Sequence, residues 1–233
     1  MTMTSTEKVI MLYILITASL TENLFERRKE EYVRGIEQIK KLTQHLACKL
    51  CIIENRGKRP TFLDDLGVEV FYTDNNMHLM SFVEDNGLRL NFYDSYSDIE
   101  DTGIFPVIKL DNKGRVELMD IWDCIKHLNI QDDDYVIKIT GRYLLQEPCP
   151  FLNIPTENID CCYKKLADRA GARRECFTGL IGMRCRYIKQ ISLPNEESVE
   201  SNWFDVCSKL PMQVDLHRLG IEGMINNTDR FQH

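Results

Sequence analysis

DDDYVIKITGRYLL (Asp132–Leu145) places an acidic triplet at one end of an apolar run and Thr140-Gly141-Arg142 at the other. The run Tyr135–Ile139 is short, β-branched and apolar on both faces apart from Lys138, the pattern of a central strand covered from two sides. Open α/β sheets bind ligands outside the carboxyl ends of their parallel strands. If this strand is parallel to its neighbours, the working end is therefore TGRY. Gly141 there permits close backbone approach, and Arg142 offers a planar cationic fork suited to a diphosphate. The triplet Asp132–Asp134 then reads as a solvated turn at the wrong end of the strand, and a metal role for it requires the opposite polarity.

The pattern upstream supports a parallel sheet. Val9–Ile16 is a second doubly apolar run, Glu22–Leu42 carries a helical apolar face, and Cys48–Ile53 and Val68–Tyr72 are further strands. A short helix is expected at Pro60–Leu66, with Pro60 in its first turn. Strand, helix, strand, helix, strand defines an α/β protein with right-handed crossovers. Residues 77–111 break this rhythm and read as an inserted hairpin around Asn86-Gly87 followed by an acidic loop. Asn112–Leu128 is an amphipathic helix, capped by Asp111 or Asn112. Beyond TGRY the chain is mixed, with a strand near Ile159–Tyr163, a helix at about Glu197–Leu210 and the polar tail NNTDRFQH, expected to fray. We assign one domain over residues 1–233, in two halves at about 8–145 and about 146–225.

Composition narrows the function. A formal charge of −7 and a pI near 5.3 leave no general basic face for nucleic acid, so an anionic ligand must be held locally. Nine scattered cysteines without a framework point to a reduced, cytoplasmic setting. Cys48-Lys-Leu-Cys51 has metal-ligand spacing, but no second pair accompanies it, so both are read as strand residues. The apolar run at the amino end is shorter than the roughly 20 residues of a membrane span and leads into a charged helix, so a buried strand is expected and no membrane span.

The strand ends carry polar residues in register: Thr17 and Ser19, then Glu54, Asn55 and Arg56, then Thr73, Asp74 and Asn75. With ILITASL (Ile14–Leu20), IIENRG (Ile52–Gly57), VFYTDNN (Val70–Asn76), the helix opening Asn112-Lys113-Gly114 and TGRY, the chain resembles the nucleotide-sugar glycosyltransferases of the A-type fold. NKGRVELMDI and DDDYVIKITGRY, followed by FTGLIGMRCRYIKQI (Phe177–Ile191), are similar to small glycosyltransferase-like proteins encoded by large DNA viruses of algae.

That resemblance implies a mostly parallel central sheet flanked by helices. It also implies a UDP- or GDP-linked sugar donor, a glycan or glycoprotein acceptor and, for a viral protein, the host cytoplasm. Thr17, Glu54, Asn55 and Asp74 are expected at base and ribose, where a carboxylate accepts from hydroxyls. Lys113 and Arg142 are expected at the phosphates, with Arg56 and Arg59 in reserve. The base is expected in PNEESVESNWFDVC (Pro194–Cys207), with Glu200 first and Glu197 second; acids also favour any helix amino end. The family's Asp-x-Asp metal motif has TGR in its place. Either Arg142, helped by Lys138 or Lys113, supplies the positive charge, or Mn2+ or Mg2+ is held by ligands such as Asp74 or His217. Other nucleotide-using α/β enzymes and a non-catalytic glycan-binding or scaffold protein are the competing readings. The first turn, TASLTEN, has no glycine, which counts against P-loop and dinucleotide-binding sites.

Overall fold

The computed structural model describes residues 10–20, 25–76, 112–153, 156–166, 174–193, 198–225 and 229–232. The expected hairpin at 77–111 lies outside them. The first half contains β1 (Leu12–Ala18), α1 (Phe25–Thr43), β2 (Cys48–Glu54), β3 (Glu69–Tyr72), α2 (Asn112–His127) and β4 (Tyr135–Thr140). The second contains the short strands β5 (Leu144–Leu145), β6 (Cys161–Tyr163), β7 (Lys165–Leu166) and β8 (Glu175–Cys176), then β9 (Leu180–Arg184), α3 (Cys185–Ile188), α4 (Val199–Cys207), β10 (Gln213–Asp215), β11 (Ile221–Ile225) and β12 (Asp229–Gln232).

Among the described residues, seven strands form a central sheet in the order β10-β6-β9-β4-β1-β2-β3. Each pairing is parallel except those of β9, which runs against β4 and β6. The strand β1 alternates as a doubly covered strand must. Tyr13 and Leu15 join one core cluster with Leu118, Ile121 and Ile125 of α2 and Trp203 and Phe204 of α4. Ile14 and Ile16 join the other with Tyr32, Ile36 and Ile39 of α1. Burying each such α1 side chain stabilises by roughly 1.5–3 kcal/mol, which fixes α1 and α2 on opposite faces.

The chain leaves β1 through α1 to β2 on one side and returns from β3 through α2 to β4 on the other. The β1/β4 boundary is therefore the topological switch point, and the crevice outside the carboxyl ends of the strands there is where sheets of this kind bind ligands. The register runs Leu12↔Tyr135 to Thr17↔Thr140, so TGR emerges beside Thr17 and Asp132–Asp134 lies at the far end.

Two local expectations need correction. The helical turn at Phe62–Leu66 is a 3-10 helix whose N-cap is Thr61, in a capping box with Asp64, and which closes on Gly67 at φ 65°; Pro60 is outside it. The tail does not fray throughout, because β12 pairs antiparallel with β11, Glu222 opposite Gln232, and β11 pairs with β5.

Candidate functional site

Three polar groups surround the crevice. The first crosses it. Glu117, in the second turn of α2, accepts the Thr17 hydroxyl on Oε1 at 2.7 Å, and the Lys138 ammonium lies 2.9 Å from the same oxygen. Lys138 is 1% exposed and also donates to Thr178 O at 2.7 Å. Thr178 in turn donates its hydroxyl to Glu200 Oε1 at 3.4 Å. A polar path thus runs from the end of β1 over β4 to the first turn of α4, whose N-cap is Ser198. Lys138 is buried and paired within it, so its part is to brace these elements and not to meet a phosphate directly.

The second group is basic and lies on the α1 side. Arg142 Nη1 is 3.6 Å from Glu31. Arg28 donates to Ser19 O at 3.1 Å, while Ser19 N donates to the Tyr32 hydroxyl at 2.9 Å. Burial lowers the pKa of Arg28, and Arg142 and Arg56 lower it further, against Tyr32 and Glu31, which raise it. The guanidiniums are therefore close enough to repel. Glu54 is fully buried and accepts from Leu20 N, Arg56 N and Arg59. Its carboxylate is enclosed within the loop, where it ties the ends of β1 and β2 together, in contrast to the ribose contact expected of it. Among the described residues, four guanidiniums, Arg28, Arg56, Arg59 and Arg142, gather here around Glu31 and Glu54.

The TGR turn is held by close packing. Gly141 N donates to Thr17 O at 3.0 Å. A Cβ on Gly35 of α1 would collide with Gly141 O and stand 2.9 Å from Tyr143 O. Glycine inside a helix costs about 1 kcal/mol relative to alanine, and here it lets α1 press against the turn that carries Arg142.

The third group lies toward β3. Asp120, one turn beyond Glu117, is 2% exposed. It accepts from Thr73 Oγ1, from Asn55 Nδ2 at 3.1 Å and from Asn75 Nδ2 at 2.9 Å. Burial raises its pKa to about 6 despite these three hydrogen bonds, and neighbouring Glu117 raises it further. Asn55 is thereby turned toward α2.

The remaining expected residues fall as follows. Lys113 is in the first turn of α2, and its side chain lies outside the described residues, as does Glu197. Asp74 is exposed just past β3, and His217 is exposed just past β10. These strands are opposite edges of the sheet. Six strand spacings of about 4.8 Å separate the two residues by roughly 25–30 Å, so they cannot share one ion. Among the described residues no group of three or more His, Cys, Asp or Glu can hold a metal. The residues at the carboxyl end of β4 likewise do not fit the divalent cation of the resembling family, since a hydroxyl, a glycine and a guanidinium stand where hard oxygen donors are required.

Cys48 and Cys51 are β2 residues, and all nine thiols are free. Trp203 is core at 3% exposure. Two cavities of about 420 and 360 Å3 lie at the amino ends of the strands, beside Trp122 and Lys189 and beside Cys48 and Val68, away from this rim. Glu117 and Asp120 were not singled out from the sequence. The available signal was a pair of acids three residues apart on a helix, one of them on the inward stripe Gly114-Glu117-Leu118-Ile121-Cys124.

A mostly parallel α/β sheet with a polar crevice at its switch point is an architecture that binds nucleotides and related ligands. No family model matches the sequence, and no curated protein matches it. Among solved structures the chain is similar to one described as a nucleotide-diphospho-sugar transferase from Desulfovibrio desulfuricans G20, at 12% identity, with 89% of this chain and 80% of that one covered and a TM-score of 0.42. It is also similar to a 4-diphosphocytidyl-2C-methyl-D-erythritol synthase, at 9% identity, 93% and 95% covered, TM-score 0.45. A third is the galactosyltransferase LgtC with donor and acceptor sugar analogs, at 9% identity, 87% and 72% covered, TM-score 0.43. Among the described residues no helix is long and apolar enough to cross a membrane.

Proposed function

We propose that this protein is a glycosyltransferase that moves a sugar from a nucleoside-diphosphate sugar to a glycan acceptor. The observation that carries the reading is the position of the arginine cluster. Arg142, with Arg28 and Arg56 in electrostatic reach, stands at the switch-point crevice, where a departing diphosphate needs positive charge. In this chain guanidinium groups supply that charge at the end of β4. Lys113 in the first turn of α2 adds to it by position, with the helix amino end behind it. Thr17 and Asp74 lie along the rim that the nucleoside would follow.

Transfer with inversion at the anomeric carbon needs a carboxylate on the acceptor side. Glu200 takes that role, with Glu197 as its reserve. The acceptor O–H gives its proton to the carboxylate as the oxygen bonds to the anomeric carbon. The bond from that carbon to the diphosphate breaks, and its electron pair leaves with the diphosphate, whose charge Arg142 meets. The contact from Thr178 orients Glu200 and connects it through Lys138 to the donor crevice.

The test is Glu200→Gln in the full chain, assayed for donor binding and for sugar transfer or donor hydrolysis. Binding within about twofold of wild type and turnover reduced by roughly 10²–10⁴ are expected, the range for loss of a general base. Undiminished turnover removes Glu200 from the mechanism. A wild-type protein that binds glycans but never consumes a UDP- or GDP-sugar is a binding protein on this fold.

A further inference from the structure

We propose that Glu117, fixed by Lys138 at the switch point, is the carboxylate that takes sugar hydroxyls of the nucleotide donor, an inference that rests on the glycosyltransferase reading. Glu117 occupies the stripe of α2 that otherwise packs Leu118, Ile121 and Cys124 against the sheet. A lysine–glutamate pair is no cheaper there than two apolar side chains, because desolvating both charges offsets their attraction. Packing therefore does not account for it.

Its geometry does. Thr17 at the end of β1 and Lys138 on β4 reach the same oxygen, at 2.7 and 2.9 Å. The carboxylate is consequently anchored to both strands that flank the crevice. Lys138 is itself held by Thr178 O, so the anchor cannot swing. The Glu117 side chain remains 29% exposed, whereas the two other rim carboxylates with buried anchors, Glu54 at 0% and Asp120 at 2%, are closed off. An ionised carboxylate accepts charge-assisted hydrogen bonds from hydroxyl groups. Its fitting ligand is a neutral hydroxyl pair, which a nucleotide sugar offers on the ribose and again on the transferred sugar.

Calorimetric titration of wild type, Glu117→Gln and Glu117→Asp with UDP, 2′-deoxy-UDP, GDP, UDP-glucose and GDP-mannose tests this. For the nucleotide that wild type binds, both variants should bind at least tenfold more weakly, with melting temperature confirming the fold. If Glu117→Gln fails to fold, Glu117→Asp, which keeps the charge and withdraws it by one methylene, carries the comparison. Loss with UDP but not with 2′-deoxy-UDP assigns the ribose; loss only with the sugar conjugate assigns the transferred sugar. Equal affinity of folded variants and wild type for all five ligands overturns the inference while leaving the donor reading standing. A wild-type protein that binds none of them overturns the donor reading, and this inference with it.

Discussion

Charged side chains crowd both ends of the central sheet, but they are arranged differently. At the amino end of β4 the charges close in pairs. Asp132 meets Lys189 at 2.6 Å, Asp133 meets Arg186, and Arg184 meets Asp160 at 3.6 Å. Asp134 accepts backbone N–H groups of Met11 and Gln131. Each acid of the triplet is thus matched within the fold, where it fastens the start of β4 to β1 and to α3. At the carboxyl end, by contrast, four arginines of the described residues, Arg28, Arg56, Arg59 and Arg142, gather on the α1 side, and the fixed carboxylate of Glu117 stays partly open. Charges closed in pairs are what a structural cluster needs, whereas like charges gathered at the carboxyl ends of a parallel sheet are suited to an anionic ligand.

The most drastic way to break that contrast is Gly35→Ala. The new Cβ would meet the Gly141 carbonyl, with Tyr143 O at 2.9 Å, so α1 or the TGR turn must move. Overpacking of backbone on backbone puts the expected loss of stability at about 3 kcal/mol, read from denaturant unfolding. Donor binding should weaken in the same variant, because the displaced turn carries Arg142. A variant as stable as wild type with unchanged binding would show that this close approach does not position the site.

Asp120 allows a finer test, through pH. Its folded pKa is about 6 against an ordinary carboxyl value of about 3.9, so the folded state binds the proton more tightly than the unfolded chain. Stability from this group is then largest below the unfolded value and falls as pH rises through about 6. Relative to Asp120→Asn, which does not titrate, wild type should gain on the order of 2 kcal/mol between pH 7 and pH 4. A stability difference that stays flat across that interval would mean that Asp120 is not desolvated as described.

Much of this architecture could be read from the sequence, because hydrophobic periodicity carries it. The doubly apolar runs at β1 and β4 gave the parallel sheet, and the polarity of that sheet already ranked TGRY above the acidic triplet. The hidden parts depend on tertiary contacts. Glu54 and Asn55 were expected to face the nucleoside because they follow a strand, yet the folding back of Arg59 onto Glu54 and the approach of Asp120 to Asn55 have no local pattern. Glu117 was passed over because an acid in an amphipathic helix is ordinarily solvated, and only the approach of Lys138 and Thr17 sets it apart. The β12 strand, DRFQ, has too little apolar alternation to announce itself and is defined by its pairing with β11.

The central claim is that Arg142 at the carboxyl end meets a nucleoside diphosphate while the equally charged amino end does not. Calorimetric binding of UDP, GDP and their sugar conjugates to wild type, Arg142→Ala and Lys189→Ala, with manganese and then with a chelator, tests it most directly. The expected result is one nucleotide bound with or without metal, roughly 10–100-fold more weakly by Arg142→Ala, as for loss of a charge-assisted contact of about 1.5–3 kcal/mol, and unchanged by Lys189→Ala. Binding that requires manganese, or that is indifferent to Arg142, would contradict it.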